Sequence, residues 1–411
     1  MANAVLDGEV APVDGRLPDE SFAEFVNGPT RQFGFYVHVP YCATRCGYCD
    51  FNTYTAEELG PGVSRTDYAQ TATSEVRFAR GVLAGVDQPI DTVFFGGGTP
   101  TLLPAQHLIG VLDSIRHEFG IAEGAEVTTE ANPDSVTPDS LAQLRAGGFT
   151  RISFGMQSAS PHVLAVLERT HTPDRARDAV QWAKDAGFEH VNVDLIYGTP
   201  SETADDFARS LDIAIATGVD HVSAYALVVE DGTRLGRRVA RGEMPAPDDD
   251  VAAARYEVAD RLLTDAGFEW YEVSNWARPG GECRHNLGYW SDGNWWGIGP
   301  GAHSHVAGVR WWNVKHPSAY TDRIAAGKSP ALAREVLTPQ TRAMERIMLG
   351  TRLRAGLALD AMGSHGRDAA ARAALDGLVD PHALEAGRVV LTGRGRLLGD
   401  RVVGDLIDPT A

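Results

Sequence analysis

The sequence predicts an α/β fold: six βα units forming a partial (βα)6 barrel, followed by a smaller, mainly helical C-terminal domain. From Phe33 to about Val229, short runs rich in Val, Ile, Phe and Tyr alternate with longer amphipathic segments, as in a parallel sheet with crossover helices. Beyond Arg234 the alternation gives way to GRRVARGEMPAPDDD, a polar, Pro-containing stretch that reads as a connection. A chain of 411 residues also exceeds one ordinary core, so more than one domain is expected.

The elements follow in order. Residues 1–30, acidic, rich in Pro and Gly and without periodicity, read as a flexible leader. Strands are expected at 34–39, 92–95, 126–130, 151–154, 190–196 and 221–228, within a barrel unit spanning 31–235. Thr137-Pro138 and Thr172-Pro173 each place a capping hydroxyl before a proline at the first helical position. Gly147 and Gly187 suit left-handed ends of the helices they follow. Residues 236–335 form a connecting region, with a helix from Asp249 closed by Gly267 and a Trp- and Gly-rich stretch of irregular structure from Trp270 to Trp312. The remainder, 336–411, reads as a small helical domain finished by a β-hairpin around LTGRGRLLGD. A winged-helix arrangement is compatible with it, and a plain packing domain is the alternative.

Composition narrows the function. An excess of 55 acidic over 37 basic residues gives a formal charge of −18, which repels polyanions, so nucleic acid is not an expected partner. No apolar run approaches the roughly 20 residues of a membrane span, and the N-terminus lacks the basic and apolar regions of a secretory signal. A cytoplasmic location is expected. Four cysteines in this length are no disulfide framework, and three of them crowd into eight residues.

Those three, Cys42, Cys46 and Cys49, form a C-x3-C-x2-C loop just after the first strand, at the barrel end where such folds place their chemistry. Three thiolates hold three irons of a [4Fe-4S] cluster and leave the fourth open, since complete protein ligation takes four cysteines. A structural zinc site completed by His38, Asp50 or Cys283 is the alternative. Further along, Gly96, Gly97 and Gly98 permit close backbone approach to a ligand. Glu130, Gln157 and Asp194 place polar side chains at strand ends where a barrel otherwise needs apolar filling.

The cysteine spacing, with Tyr48 just before the last cysteine, resembles the cluster loop of radical S-adenosylmethionine (SAM) proteins. The resemblance implies that the open iron chelates the amino and carboxylate groups of SAM, and that electron transfer cleaves the sulfonium to a 5′-deoxyadenosyl radical. It further implies a glycine-rich SAM contact at Gly97, Gly98 and Thr99. Similarity to the oxygen-independent coproporphyrinogen III oxidase-like group, HemN and its relatives, adds Tyr36, Arg169, Asp194 and Val228 as SAM-binding positions.

Within that group two departures matter. Dehydrogenase members carry a fourth cysteine two residues after the third, where this chain has Phe51, a residue that ligates no metal and relays no hydrogen atom. The segment His285-Asn286-Leu287-Gly288-Tyr289-Trp290 matches the H-N-x-x-Y-W motif associated with haem binding in the haem-chaperone branch, HemW. That likeness implies haem held by His285, with Asn286, Tyr289 and Trp290 around it. Cys283, His303 and His305 are further candidate haem contacts, a buried thiol being the other reading of Cys283. The expected function is thus haem binding and transfer to an acceptor protein. The alternatives are oxidative decarboxylation of coproporphyrinogen III and radical SAM chemistry on another substrate. The haem acceptor and the electron donor are not encoded in any motif.

Overall fold

The structure, a computed structural model, describes residues 8–59, 65–170 and 173–407. Its core is a sheet in which seven strands run parallel. Six are those the sequence predicts: β2 (Phe33–Val39), β3 (Ile90–Gly97), β4 (Ile121–Ala131), β5 (Arg151–Gln157), β6 (His190–Tyr197) and β7 (His221–Ala226), which follow β1 (Glu9–Val10) in the chain. β2 and β5 are buried almost throughout, as strands covered on both faces must be. The helices between them pack their apolar stripes on the outside of the sheet; the helix Ala105–Phe119, for example, buries Leu108, Val111, Leu112 and Ile115.

The seventh parallel strand comes from beyond residue 235. Past β8 (Glu269–Glu272) and β9 (Asn275–Ala277), β10 (Asn294–Ile298) pairs with β2 in parallel, with Trp295 opposite Gly34. The sheet then continues antiparallel through β11 (His303–Val306), β12 (Val309–Asn313) and β13 (Ala331–Val336), while β9 and β8 extend the opposite edge beyond β7. The expectation of irregular structure from Trp270 to Trp312 is therefore corrected: the stretch supplies strands to both edges of one 13-stranded sheet. These strands have three to five residues each, too short for an alternation to register, and they join the barrel strands only through the distant pairings of β9 with β7 and β10 with β2.

Other expectations are corrected in detail. Residues 8–30, read as a flexible leader, hold β1 against β13 and a helix at Asp19–Asn27, tied by Glu24 to Arg342; residues 1–7 lie outside the described part. The helix starting at Pro138 has the expected Thr137 cap, reinforced by reciprocal bonding with Ser140, but its left-handed residue is Gly148, because Gly147 remains right-handed. The other helix so marked begins at Pro173 as expected and ends just before the left-handed Gly187; its cap Thr172 lies outside the described residues. The LTGRGRLLGD segment is helical rather than a hairpin, since the Thr392 hydroxyl caps the helix Gly393–Leu397 and Gly399–Leu406 follows. The short ribbon of this region is β14 (Leu357–Ala358) on β15 (Arg388–Val389), beside a small apolar core of its own that includes Val379, Val389 and Val402. Among the described residues no helix is long and apolar enough to cross a membrane.

Candidate functional site

The carboxyl ends of the parallel strands converge on a cavity of about 500 Å³, and the loop leaving β2 lies across its mouth. Cys42, Cys46 and Cys49 all line it, half-buried. Backbone hydrogen bonds pin the loop at several points: Cys42 N–H donates to Tyr54 O (3.0 Å), Gly47 N–H to Leu167 O (3.1 Å), and Leu235 N–H to Gly47 O (2.8 Å). Tyr48 packs on a small apolar cluster of Val163, Leu167, Ile196, Leu227 and Leu235. Burial and the neighbouring sulfurs push the Cys42 thiol up to about 11, so this trio is poised to gain from a shared positive centre.

Of the fourth ligands that zinc would need, Asp50 lines the same cavity, while His38 and Cys283 are committed elsewhere. His38 accepts or donates at both ring nitrogens, to Tyr36 Oη (3.1 Å) and Asn52 O (2.9 Å), and Cys283 is buried with its thiol 3.4 Å from Glu126 Oε1. Three half-exposed thiols bordering a ligand-sized cavity suit a cluster with one open iron better than a closed tetrahedral ion.

Around the same cavity the fold brings together Tyr48, Gly97, Gly98, Thr99, Glu130, Gln157, Arg169, Asp194 and Val228. The glycines also serve the loop above them. A Cβ on Gly98 would stand 2.5 Å from Tyr41 O, and one on Gly97, at φ 109°, would meet the His38 ring at 2.6 Å. They let the end of β3 pass under the cysteine loop, where Gly98 N–H donates to Val39 O and Thr99 N–H to Tyr41 O, each at 2.8 Å.

Of the carboxylates that line this cavity, Asp50, Glu130, Asp134, Asp194 and Glu230, two stand on barrel strands: Glu130 on β4 and Asp194 on β6. Burial and the charge of Asp194 push Glu130 up to about 8, against the pull of a 3.0 Å bond from Gly97 N–H. Burial also raises Asp194, although Ser153 donates to it at 2.9 Å and Asn192 at 2.8 Å. Arg169 reaches in with bonds to Cys46 Sγ (3.3 Å) and Gly155 O (3.0 Å), and its Nε is buried without a partner. Gln157 ends β5 in the left-handed region, φ 65°, beyond a register shift against β6 that turns its side chain into the site. Carboxylates short of positive charge beside an arginine with an unused donor suit a ligand carrying both amino and carboxylate groups and a sulfonium.

Beneath Asp194 lies a polar network that the motifs do not announce. Asn192 joins Ser153, Ser223 and His221, and His221 Nε2 lies 2.7 Å from Tyr271 Oη. The available signal was alternation, since Asn192 and Asp194 share one face of β6. Tyr36 is the exception among the expected SAM positions: it lies in a second cavity of about 570 Å³, which shares Asp50, Phe51, Gly97 and Glu130 with the first.

The second cavity lies between β10–β12 and the helix Pro339–Gly350 of the C-terminal domain, joined by ion pairs Arg310–Glu345 (2.8 Å) and Arg346–Asp292 (3.4 Å). Of the residues expected at haem, Tyr289, His303 and His305 line it, whereas Cys283, His285, Asn286 and Trp290 do not. His285, expected as an iron ligand, stands back from the lining of both cavities. Its ring is buried, stacked on Phe94, with Nδ1 2.8 Å from Thr92 Oγ1 and Nε2 2.8 Å from Tyr289 Oη, so neither nitrogen faces open space. The helix Arg284–Trp290 that carries it is anchored at its start by Glu126, which accepts from the N–H groups of Arg284 (3.1 Å) and His285 (3.0 Å) and pairs with the buried Arg151 at 2.9 Å. Cys283 takes its other expected role, a buried thiol in that anchor.

Residues 36–214 match the radical SAM superfamily. The chain is 54% identical over 380 residues to the heme chaperone HemW of Mycobacterium tuberculosis, covering 92% of this chain and 96% of that one. It is 32% identical to the heme chaperone HemW of Bacillus subtilis, covering 90% and 97%. The solved structure of coproporphyrinogen III oxidase (HemN) from Escherichia coli superposes with a TM-score of 0.81 at 21% identity, covering 98% of this chain and 96% of that one, which shows a shared fold. The chain belongs to the HemW family of the radical SAM superfamily.

Proposed function

We propose that this protein binds haem, passes it to an acceptor protein, and holds a SAM-ligated [4Fe-4S] cluster on Cys42, Cys46 and Cys49. Superfamily membership implies SAM and the cluster, and the names of the relatives supply the haem. One observation carries the reading: two adjoining cavities meet at Asp50 and Phe51, one bordered by the three cysteines and the other by aromatic rings, histidines and a methionine. A flat apolar macrocycle with acidic edges needs such walls, and a cluster needs such thiols.

When bound, SAM at a reduced cluster supplies one-electron chemistry. The chain's own residues define what surrounds it. Glu130 and Asp194 face the positive groups of the ligand, the Arg169 guanidinium on the cavity wall faces a carboxylate, and Gly98 and Thr99 hold the start of the cysteine loop in place by backbone bonds. Phe51, 58% exposed, stands at the junction of the cavities and offers neither a proton nor a hydrogen atom there. That absence of a reactive group counts against coproporphyrinogen decarboxylation. A cytoplasmic location goes with this reading, because half-exposed cluster thiols require a reducing compartment.

The test is direct. Anaerobically reconstituted protein with dithionite, SAM and coproporphyrinogen III should form no protoporphyrinogen, while SAM should alter the EPR spectrum of the reduced cluster and added haem should bind stoichiometrically. Formation of protoporphyrinogen would transfer the function to the decarboxylase alternative.

A further inference from the structure

His303 opens β11 on the wall of the second cavity and is the histidine there whose ring has no hydrogen-bond partner among the described residues. His38 is committed at both nitrogens, and His305, although only its Nδ1 is bonded, to Gly293 O at 3.0 Å, is buried against Trp295, whereas His303 is the exposed one. Trp312 lies flat against His303, centroids 6.0 Å apart and planes 24° apart, which fixes the plane of the imidazole without using its nitrogens. Although the residue is exposed, partial desolvation of the ring in the cavity wall, with the charges of Lys315 and Arg310, lowers its proton affinity and favours the neutral form that binds a metal.

The surroundings complete a site. Tyr289 and Trp295, in edge-to-face contact at 4.6 Å, provide a rigid aromatic wall. Met348, from the C-terminal domain, lines the same space. At the rim Lys315 is exposed, and its ammonium has no partner among the described residues, whereas Arg310 and Arg346 are already paired with carboxylates.

We propose that haem occupies this cavity with His303 as its axial nitrogen ligand and Lys315 pairing with a propionate. The proposal rests on the haem-binding reading above and gives it an address other than His285. His285 instead acts as a positioning residue, since its Nε2 holds the Tyr289 hydroxyl and with it the aromatic wall.

Haem is titrated anaerobically into the wild type, His303→Ala, His303→Gly with added imidazole, and Lys315→Glu, followed by absorption and EPR. The wild type should show a nitrogen-ligated Soret band, His303→Ala should lose it, and imidazole should restore it in His303→Gly. Lys315→Glu should weaken haem binding while leaving the dimethyl ester of haem unaffected. If the wild type binds haem and His303→Ala keeps the same band and affinity, the ligand assignment is overturned and the haem-binding reading stands. If Lys315→Glu affects haem and its ester alike, the propionate contact is overturned. If the wild type binds no haem, both readings fall.

Discussion

Glu130 shows how one buried side chain ties binding to pH. Its carboxyl is raised to about 8 by burial and by Asp194, so at neutral pH much of it carries a proton. A ligand with amino and sulfonium groups favours the ionised form, and binding then releases that proton. Affinity for SAM should therefore rise with pH up to about 8 and level off above it. Calorimetry across this range should show the slope in the wild type and none in Glu130→Gln; an equal slope in both would place the titrating group elsewhere. Phe51 argues at the same scale: a single side chain at the junction of two cavities separates the chemistry this site supports from that of a cysteine-bearing one. His285 shows the limit of motif reading. The motif names the residue, but that both of its nitrogens are bonded depends on Thr92 and Tyr289, and its stacking on Phe94, which no spacing rule connects.

At the scale of elements, the Arg284–Trp290 helix depends on a carboxylate from a strand 158 residues earlier in the chain. Burial raises the Glu126 carboxyl, but the Arg151 guanidinium and the two backbone N–H groups overcome this and hold it below the usual range. Its contribution is present above the unfolded carboxylate pKa and is lost as pH falls through the lower folded value. Replacing Glu126 by Ala strands the Arg151 charge in the core, so urea unfolding should show a loss of about 3–5 kcal/mol. A loss under about 1 kcal/mol would contradict the anchoring role.

The barrel strands were legible because each buried run is six to eleven residues long and bounded by turn signals. The cysteine loop was legible because three thiolates in eight residues admit few readings. β8 to β12 were not, since EWYE, NWA, NWWGI, HSHV and VRWWN are strands only by virtue of their partners. The second cavity was invisible for the same reason. His303 and Met348 line one space only once β11 and the helix Pro339–Gly350 are in place.

For the whole molecule, the 13-stranded sheet places two cavities side by side and lets them share Asp50, Phe51, Gly97 and Glu130 while keeping the cysteines in one and the free histidine in the other. The cluster and the haem are thus expected to occupy separate, adjoining sites. Parallel anaerobic titrations of haem into reconstituted wild type and Cys42→Ser test this most directly, with iron and sulfide assayed in both. This separation predicts cluster iron in the wild type alone and one haem bound by each, with closely similar Soret bands. Loss of haem binding in Cys42→Ser, in protein that remains folded by circular dichroism, would contradict it.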